Sequence, residues 1–224
     1  MHKDLENKVA IITGASRGLG QEYAVKLAEA GAKVIAADIT DCNKTTQIIK
    51  DSGGPCMSVQ VDVRNQSSCD AMAKMTFDKF GRIDILVNNA ALYGSLKGGR
   101  FDALAEQDWN DCLDVNISGI WRCCKAVIGS MKAQQSGSII NISSLAALAG
   151  LPYALHYSTS KAAVIGLTRA LARELGRDWI RVNSIGPTAV ATEGTDEFFG
   201  DKLEQATKAI AAVSYTHLRA HETG

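Results

Sequence analysis

The chain reads as a doubly wound parallel α/β sheet, and three observations predict it. Short β-rich apolar runs without alternation, such as residues 8–13 (KVAIIT) and 33–37 (KVIAA), read as strands buried on both faces. Helical patterns lie between these runs, so strands and helices alternate along the chain. The first run meets a glycine turn, residues 13–20 (TGASRGLG), that opens directly into a helix.

The 224 residues suit a single domain with a full core. No repeat, linker or low-complexity segment interrupts them. The charges balance, 24 basic against 24 acidic, which argues against nucleic acid or an anionic membrane as the partner. No apolar run approaches the ~20 residues of a membrane span. The N-terminus has no signal-peptide pattern. Cys42, Cys56, Cys69, Cys112, Cys123 and Cys124 show no C-x-x-C spacing. They read as reduced thiols of a cytoplasmic protein rather than as metal ligands or disulfides. Residues 213–224 (VSYTHLRAHETG) resemble translated adapter sequence from a transposase-based library. The expected domain is therefore residues 1–212, with a non-native tail after it and a native chain cut near Ala212.

In order, the first strand delivers the glycine turn, where glycines permit close backbone approach. The helix behind offers unpaired N–H groups and a positive dipole end to a pyrophosphate. That helix carries Tyr23, Leu27 and Ala30 and stops at Gly31. The second strand ends on Asp38, placed to hydrogen-bond the ribose hydroxyls of NAD and to repel a 2′-phosphate. Asp38 also suits a helix N-cap, and Arg17 could instead receive that phosphate. Residues 57–61 form a third strand, ending in Asp62-Val63. Residues 65–80 form a helix with an apolar face at Ala71, Met75 and Phe77. A fourth strand, 83–87, ends in Asn88-Asn89-Ala90-Ala91. A loop, 92–101, precedes a long helix over 106–134 that carries Asn116, a polar side chain of the kind usually satisfied locally. A fifth strand, 138–142, presents Ser143 and Ser144 at its C-terminal end. The next helix, 155–175, has apolar positions Ala162, Ile165, Leu167 and Leu171. A sixth strand, 179–185, meets Gly186-Pro187 and an irregular loop, 188–194. A last helix spans 198–212.

The stretch 144–161 concentrates the chemistry. Tyr157 and Lys161 stand four residues apart, on one face of a helix. Free tyrosine ionises near about 10, so phenolate at neutral pH needs about 4 kcal/mol of help. A nearby ammonium has the right sign. Alone the pattern is weak, and it also fits an exposed tyrosine beside a solvated lysine.

Taken together, TG-x-x-x-G-x-G, NNA, a serine and Tyr-x-x-x-Lys, in this order and spacing, resemble the short-chain dehydrogenase/reductase family from Val9 to about Thr192. The resemblance implies a Rossmann fold and NAD(P)-dependent oxidoreductase activity. It implies that Gly14, Ser16, Arg17, Gly18, Leu19 and Gly20 hold the cofactor pyrophosphate and that Asp38 selects NAD, with NADP the lesser candidate. Asp62 and Val63 would contact the adenine, and Asn89 and Ala90 the ribose. Asn116, Ser144, Tyr157 and Lys161 would form the catalytic tetrad, with Tyr157 and Lys161 also touching cofactor. Pro187, Val190 and Thr192 would grip the nicotinamide amide. Ala91 and Thr188 replace usual glycines, which puts local backbone geometry in question. Members normally continue into a further strand that closes the sheet edge and a subunit interface. A homo-oligomer, tetramer or dimer, is therefore expected of the parent, while this chain lacks that strand and should expose an edge.

The expected function is hydride transfer between NAD(H) and a neutral, fairly apolar secondary alcohol or ketone. Tyr157 is the general acid/base, Lys161 lowers its pKa, Ser144 binds the substrate oxygen and Asn116 holds a water behind Lys161. One alternative is an NADPH-dependent carbonyl or 3-oxoacyl thioester reductase. Another, of a different class, is a non-catalytic nucleotide-binding protein, against which an intact Tyr–Lys pair argues.

Overall fold

The computed structural model describes residues 4–188, 190 and 192–200. Six parallel strands form one sheet in the order β3-β2-β1-β4-β5-β6: β1 Val9–Thr13, β2 Lys33–Asp38, β3 Cys56–Gln60, β4 Ile85–Asn88, β5 Gly137–Ile142 and β6 Ile180–Ile185. Every residue of β1 and β4 is buried, as unalternating apolar runs require. Successive side chains of β1 feed opposite layers. Val9 and Ile11 join one core with helices α3 (Gln66–Phe80), α5 (Gly119–Gln134) and α7 (Leu155–Leu175). Ala10 and Ile12 join another with α1 (Gly18–Glu29) and α2 (Asn43–Asp51). Strand order reverses between β1 and β4, and ligands of open α/β sheets bind in the crevice at such a point.

Helix α2 was not foreseen. Its sequence, NKTTQIIKD, buries Thr45, Thr46 and Ile49 and offers too little apolar periodicity to read. The apolar face expected for α3 is corrected: Cys69, Met72, Ala73 and Thr76 are buried, while Met75 and Phe77 are each 48% exposed and Ala71 is exposed. Met75 and Phe77 are two residues apart and cannot share a helical face. In α7 the buried stripe runs through Tyr157, Lys161, Val164, Thr168 and Leu175. Ala162 is exposed, and Leu167 and Leu171 pack only partly.

The expected single helix over 106–134 is broken. It consists of α4 (Glu106–Leu113), a π-helical turn at Asp114–Ser118, and α5. Such wide turns recur at functional sites, and this one turns Asn116 fully inward. Short α6 (Ala146–Ala149) follows β5, and α8 (Glu193–Phe199) follows the irregular loop. Trp179, expected in the sixth strand, instead takes a left-handed turn conformation before it and is exposed. Among the described residues β6 is one edge of the sheet and β3 the other. The 201–212 part of the expected last helix and the expected non-native tail lie outside the described residues. No helix among the described residues is long and apolar enough to cross a membrane.

Candidate active site

A cleft of ≈ 2210 Å³ lies at the C-terminal ends of the strands. Of the residues singled out from sequence, Gly14, Ser16, Arg17, Gly18, Leu19, Asp38, Asp62, Val63, Asn89, Ala90, Ser144, Tyr157, Lys161, Pro187, Val190 and Thr192 all line it. Gly20 and Asn116 stand behind its wall.

The glycine turn is a close-packed cradle. A Cβ on Gly20 would fall 2.0 Å from the Gly14 carbonyl oxygen, and one on Gly14 would fall 2.8 Å from Ala90 Cα. No side chain caps the N-terminus of α1 and no acid sits in its first turn, so its N–H groups and dipole are free to meet an anion. Asn89 Nδ2 donates to the carbonyls of Thr13 and Gly14, each at 3.0 Å, and the Thr13 hydroxyl accepts from the backbone N–H groups of Asn89 and Ala90. The cradle fits the pyrophosphate of a dinucleotide. Thr45 of α2, which sequence reasoning missed, braces it from behind. Its hydroxyl donates to Ala15 O at 2.7 Å and accepts from Gln21 Nε2 at 2.9 Å. A polar helix gives no apolar signal that could have found it.

Asp38 does not cap α2, whose N-cap is Cys42. Its carboxylate accepts from Ser16 N at 3.1 Å and from the N–H and hydroxyl of Thr40, tying the second strand to the glycine turn. Arg64 Nη2 donates to Asp62 at 2.8 Å, and this contact holds the Asp62 carboxyl below its usual range. Val63 packs on Gly119, where a Cβ would sit 2.8 Å from Val63 Cγ2. Arg17 makes a two-pronged ion pair with Glu197 of α8, bridging the cleft mouth, and Glu197 raises its pKa. Thr192 caps α8 and Val190 O accepts from the Thr195 hydroxyl. Neither Ala91 nor Thr188 takes a left-handed φ, so alanine and threonine fit those positions without strain.

Tyr157 and Lys161 are buried together, 8% and 3% exposed. Lys161 Nζ lies 5.7 Å from the centre of the Tyr157 ring and donates to Ile142 O at 2.8 Å. The Ser143 hydroxyl donates to Lys161 O at 2.8 Å, and Ala146 N donates to the Ser144 hydroxyl. Here an expectation needs correction. Burial, rather than the amine, sets the direction of the phenol's shift. Burial pushes the Tyr157 phenol well above the ordinary tyrosine value, with the Ser144 hydroxyl pulling partly back, and burial brings Lys161 down to about 8. The ammonium is directed at the Ile142 carbonyl.

Asn116 is brought to Leu92 and Ser160, not to Lys161. Its Oδ1 accepts from Leu92 N at 2.7 Å, and its Nδ2 donates to Leu92 O and to Ser160 Oγ at 3.0 Å. The Ser160 hydroxyl in turn donates to Tyr157 O at 2.7 Å. The π turn thus ties the loop after β4 to the helix of the Tyr–Lys pair.

The architecture and its cradle define an α/β fold of the dinucleotide-binding class. The profile described as short chain dehydrogenase matches residues 8–202, and the chain belongs to that family, whose members use a nicotinamide cofactor. It is 39% identical over 204 residues to a 3-oxoacyl-(acyl-carrier-protein) reductase of Synechocystis sp., covering 90% of this chain and 81% of that one. It is 41% identical over 196 residues to a (2S)-((R)-hydroxy(phenyl)methyl)succinyl-CoA dehydrogenase subunit of Thauera aromatica, covering 86% and 77%. A crystal structure of a proposed NAD(P)-dependent gluconate 5-dehydrogenase from Beutenbergia cavernae, with NADP bound at low occupancy, superposes with a TM-score of 0.85 at 30% identity over 95% of this chain and 83% of that one.

Proposed function

We propose that this protein transfers hydride between a nicotinamide cofactor and a neutral secondary alcohol or ketone, with Tyr157 giving or taking the hydroxyl proton. The observation that carries this is the burial of Tyr157 and Lys161 in the same cleft as the glycine cradle. The bound cofactor supplies the hydride chemistry. The raised phenol is protonated at neutral pH and so is set to donate to a carbonyl oxygen. Ser144, beside it, is placed to hydrogen-bond that oxygen. Lys161 is fixed by Ile142 and positions the cofactor ribose. Asn116 is a positioning residue acting through Leu92 and Ser160. The wall of Leu92, Ala146, Leu151 and Val190 favours an apolar substrate. Lys97 and Arg100 pair with Asp108 and Asp102 and do not line the cleft.

Asp38 supports NAD as cofactor. The NADP in the Beutenbergia cavernae structure and the place of Arg17 in the cleft lining, where Glu197 now pairs with it, support the opposite reading, an NADPH-dependent reductase. The name of the Synechocystis relative favours a 3-oxoacyl thioester as its substrate. A cytoplasmic setting fits the six free cysteines, and a homo-oligomer fits the exposed Trp121 on α5. The test is a panel of neutral secondary alcohols, ketones and a 3-oxoacyl thioester, each with NAD(H) and NADP(H), read by reduced-cofactor absorbance. Turnover of a neutral alcohol or ketone is expected. No turnover of any pair by protein that binds cofactor would overturn the reading.

A further inference from the structure

The substrate side of the cleft carries an aromatic stack. Among the described residues, Arg17, Asp38, Asp62, Arg64 and Lys161 are the charged ones that line the cleft, and all but the last lie on the proposed cofactor side. Beyond Tyr157 the described lining is uncharged. Tyr93, in the loop after β4, sets its ring centre 5.0 Å from that of Tyr157, tilted 36°, and 5.1 Å from that of Phe198 on α8, tilted 23°. Both separations fall in the range of offset aromatic stacking. Tyr93 is also anchored. Its carbonyl accepts from Leu96 N at 3.0 Å. The residue before it, Leu92, is gripped through both backbone groups by Asn116. The π turn therefore holds an aromatic ring against the phenol that, on the reading above, meets the reacting oxygen.

We infer that Tyr93 is the specificity-determining residue of this site, selecting a neutral substrate that carries a planar, unsaturated ring on its carbinol or carbonyl carbon. This rests on the proposed hydride transfer. A substrate oxygen at Tyr157 leaves its substituent beside the Tyr93 ring, and a flat ring there packs edge-on against the Tyr93–Phe198 pair, which already stack on each other. A saturated ring of the same size gains the apolar contact but not the aromatic one, which is worth about a three- to tenfold preference.

The test compares kcat/KM for 1-phenylethanol and 1-cyclohexylethanol in the full chain, in Tyr93→Leu, in Tyr93→Phe and in Phe198→Leu, each checked for its thermal midpoint. The wild type should favour the phenyl alcohol about three- to tenfold. Tyr93→Phe should keep that preference, and Tyr93→Leu and Phe198→Leu should lose it through KM rather than kcat. Should Tyr93→Leu fail to fold, Phe198→Leu decides. A wild-type ratio near one, or a ratio unchanged in both leucine variants, overturns the inference and leaves hydride transfer standing. Oxidation of neither alcohol by cofactor-bound wild type, together with failure of the wider panel, overturns the hydride reading itself.

Discussion

The half of the cleft that carries Gly14, Gly20 and Asp38 is shaped by backbone, whereas the half that carries Tyr93, Leu151 and Phe198 is shaped by side-chain packing. In the first, a Cβ at Gly20 would overlap a carbonyl oxygen, and the turn is cross-tied by Asn89, Thr13 and Thr45. In the second, Leu96, Cys112, Ala154 and Tyr157 form a small separate core to which Tyr93 and Phe198 are appended. Backbone geometry tolerates no change of residue size. A packed apolar wall tolerates volume-conserving change, which suits a surface that must vary with substrate. The fixed half would recognise what every reaction of the family shares, and the adaptable half what differs.

The strongest way to break this contrast is at the glycines. Gly20→Ala should cost about 1–3 kcal/mol as the turn is forced open, lowering the thermal midpoint by several degrees and weakening NADH binding measured by fluorescence. Gly99→Ala, at a position with open space around its missing Cβ, should stay within about 1 kcal/mol of wild type. Equal effects at the two sites would remove the distinction.

A smaller effect is expected at His156, between Leu155 and Tyr157 in α7. It is 1% exposed, neither ring nitrogen has a hydrogen-bond partner among the described residues, and burial lowers its pKa against the pull of Asp108. The unfolded chain therefore takes up the proton first. Stability should be full above the unfolded value of about 6.5 and fall as pH drops below it. His156→Phe should shrink the loss of thermal midpoint between about pH 7.5 and pH 5.5. An undiminished loss would show that another group carries the acid sensitivity.

The smallest effect sharpens the comparison, because one ion pair joins the two halves. Arg17 and Glu197 are both well exposed, so Glu197→Gln should leave the thermal midpoint almost unchanged. It also frees the guanidinium, so KM for NADP(H) should fall relative to KM for NAD(H), most visibly at low salt. An unchanged ratio of the two KM values would mean that Arg17 is not directed at a 2′-phosphate.

The same division explains what could be read in advance. Glycines at Gly14, Gly18 and Gly20, the unalternating strands and the acid closing β2 are local in the chain, so their pattern carries their meaning. The bracing by Thr45 depends on a polar helix whose only signal is tertiary. The apolar face of α3 was misplaced because Met75 and Phe77 are large and apolar yet point outward. The π turn at Asn116 is invisible to a 3.6-residue period, since the residues on either side continue helically. The ionisation of Tyr157 could not be foreseen from a favourable neighbour, because burial of both partners was decided by the whole fold.

The most direct test is single-turnover reduction of a ketone by bound reduced cofactor in Tyr157→Phe, with cofactor affinity measured on the same protein. The hydride-transfer rate should fall by about a hundredfold or more, with the dissociation constant for cofactor changed by no more than a few-fold. A rate close to wild type would contradict Tyr157 as the proton donor, and with it the reading of this cleft.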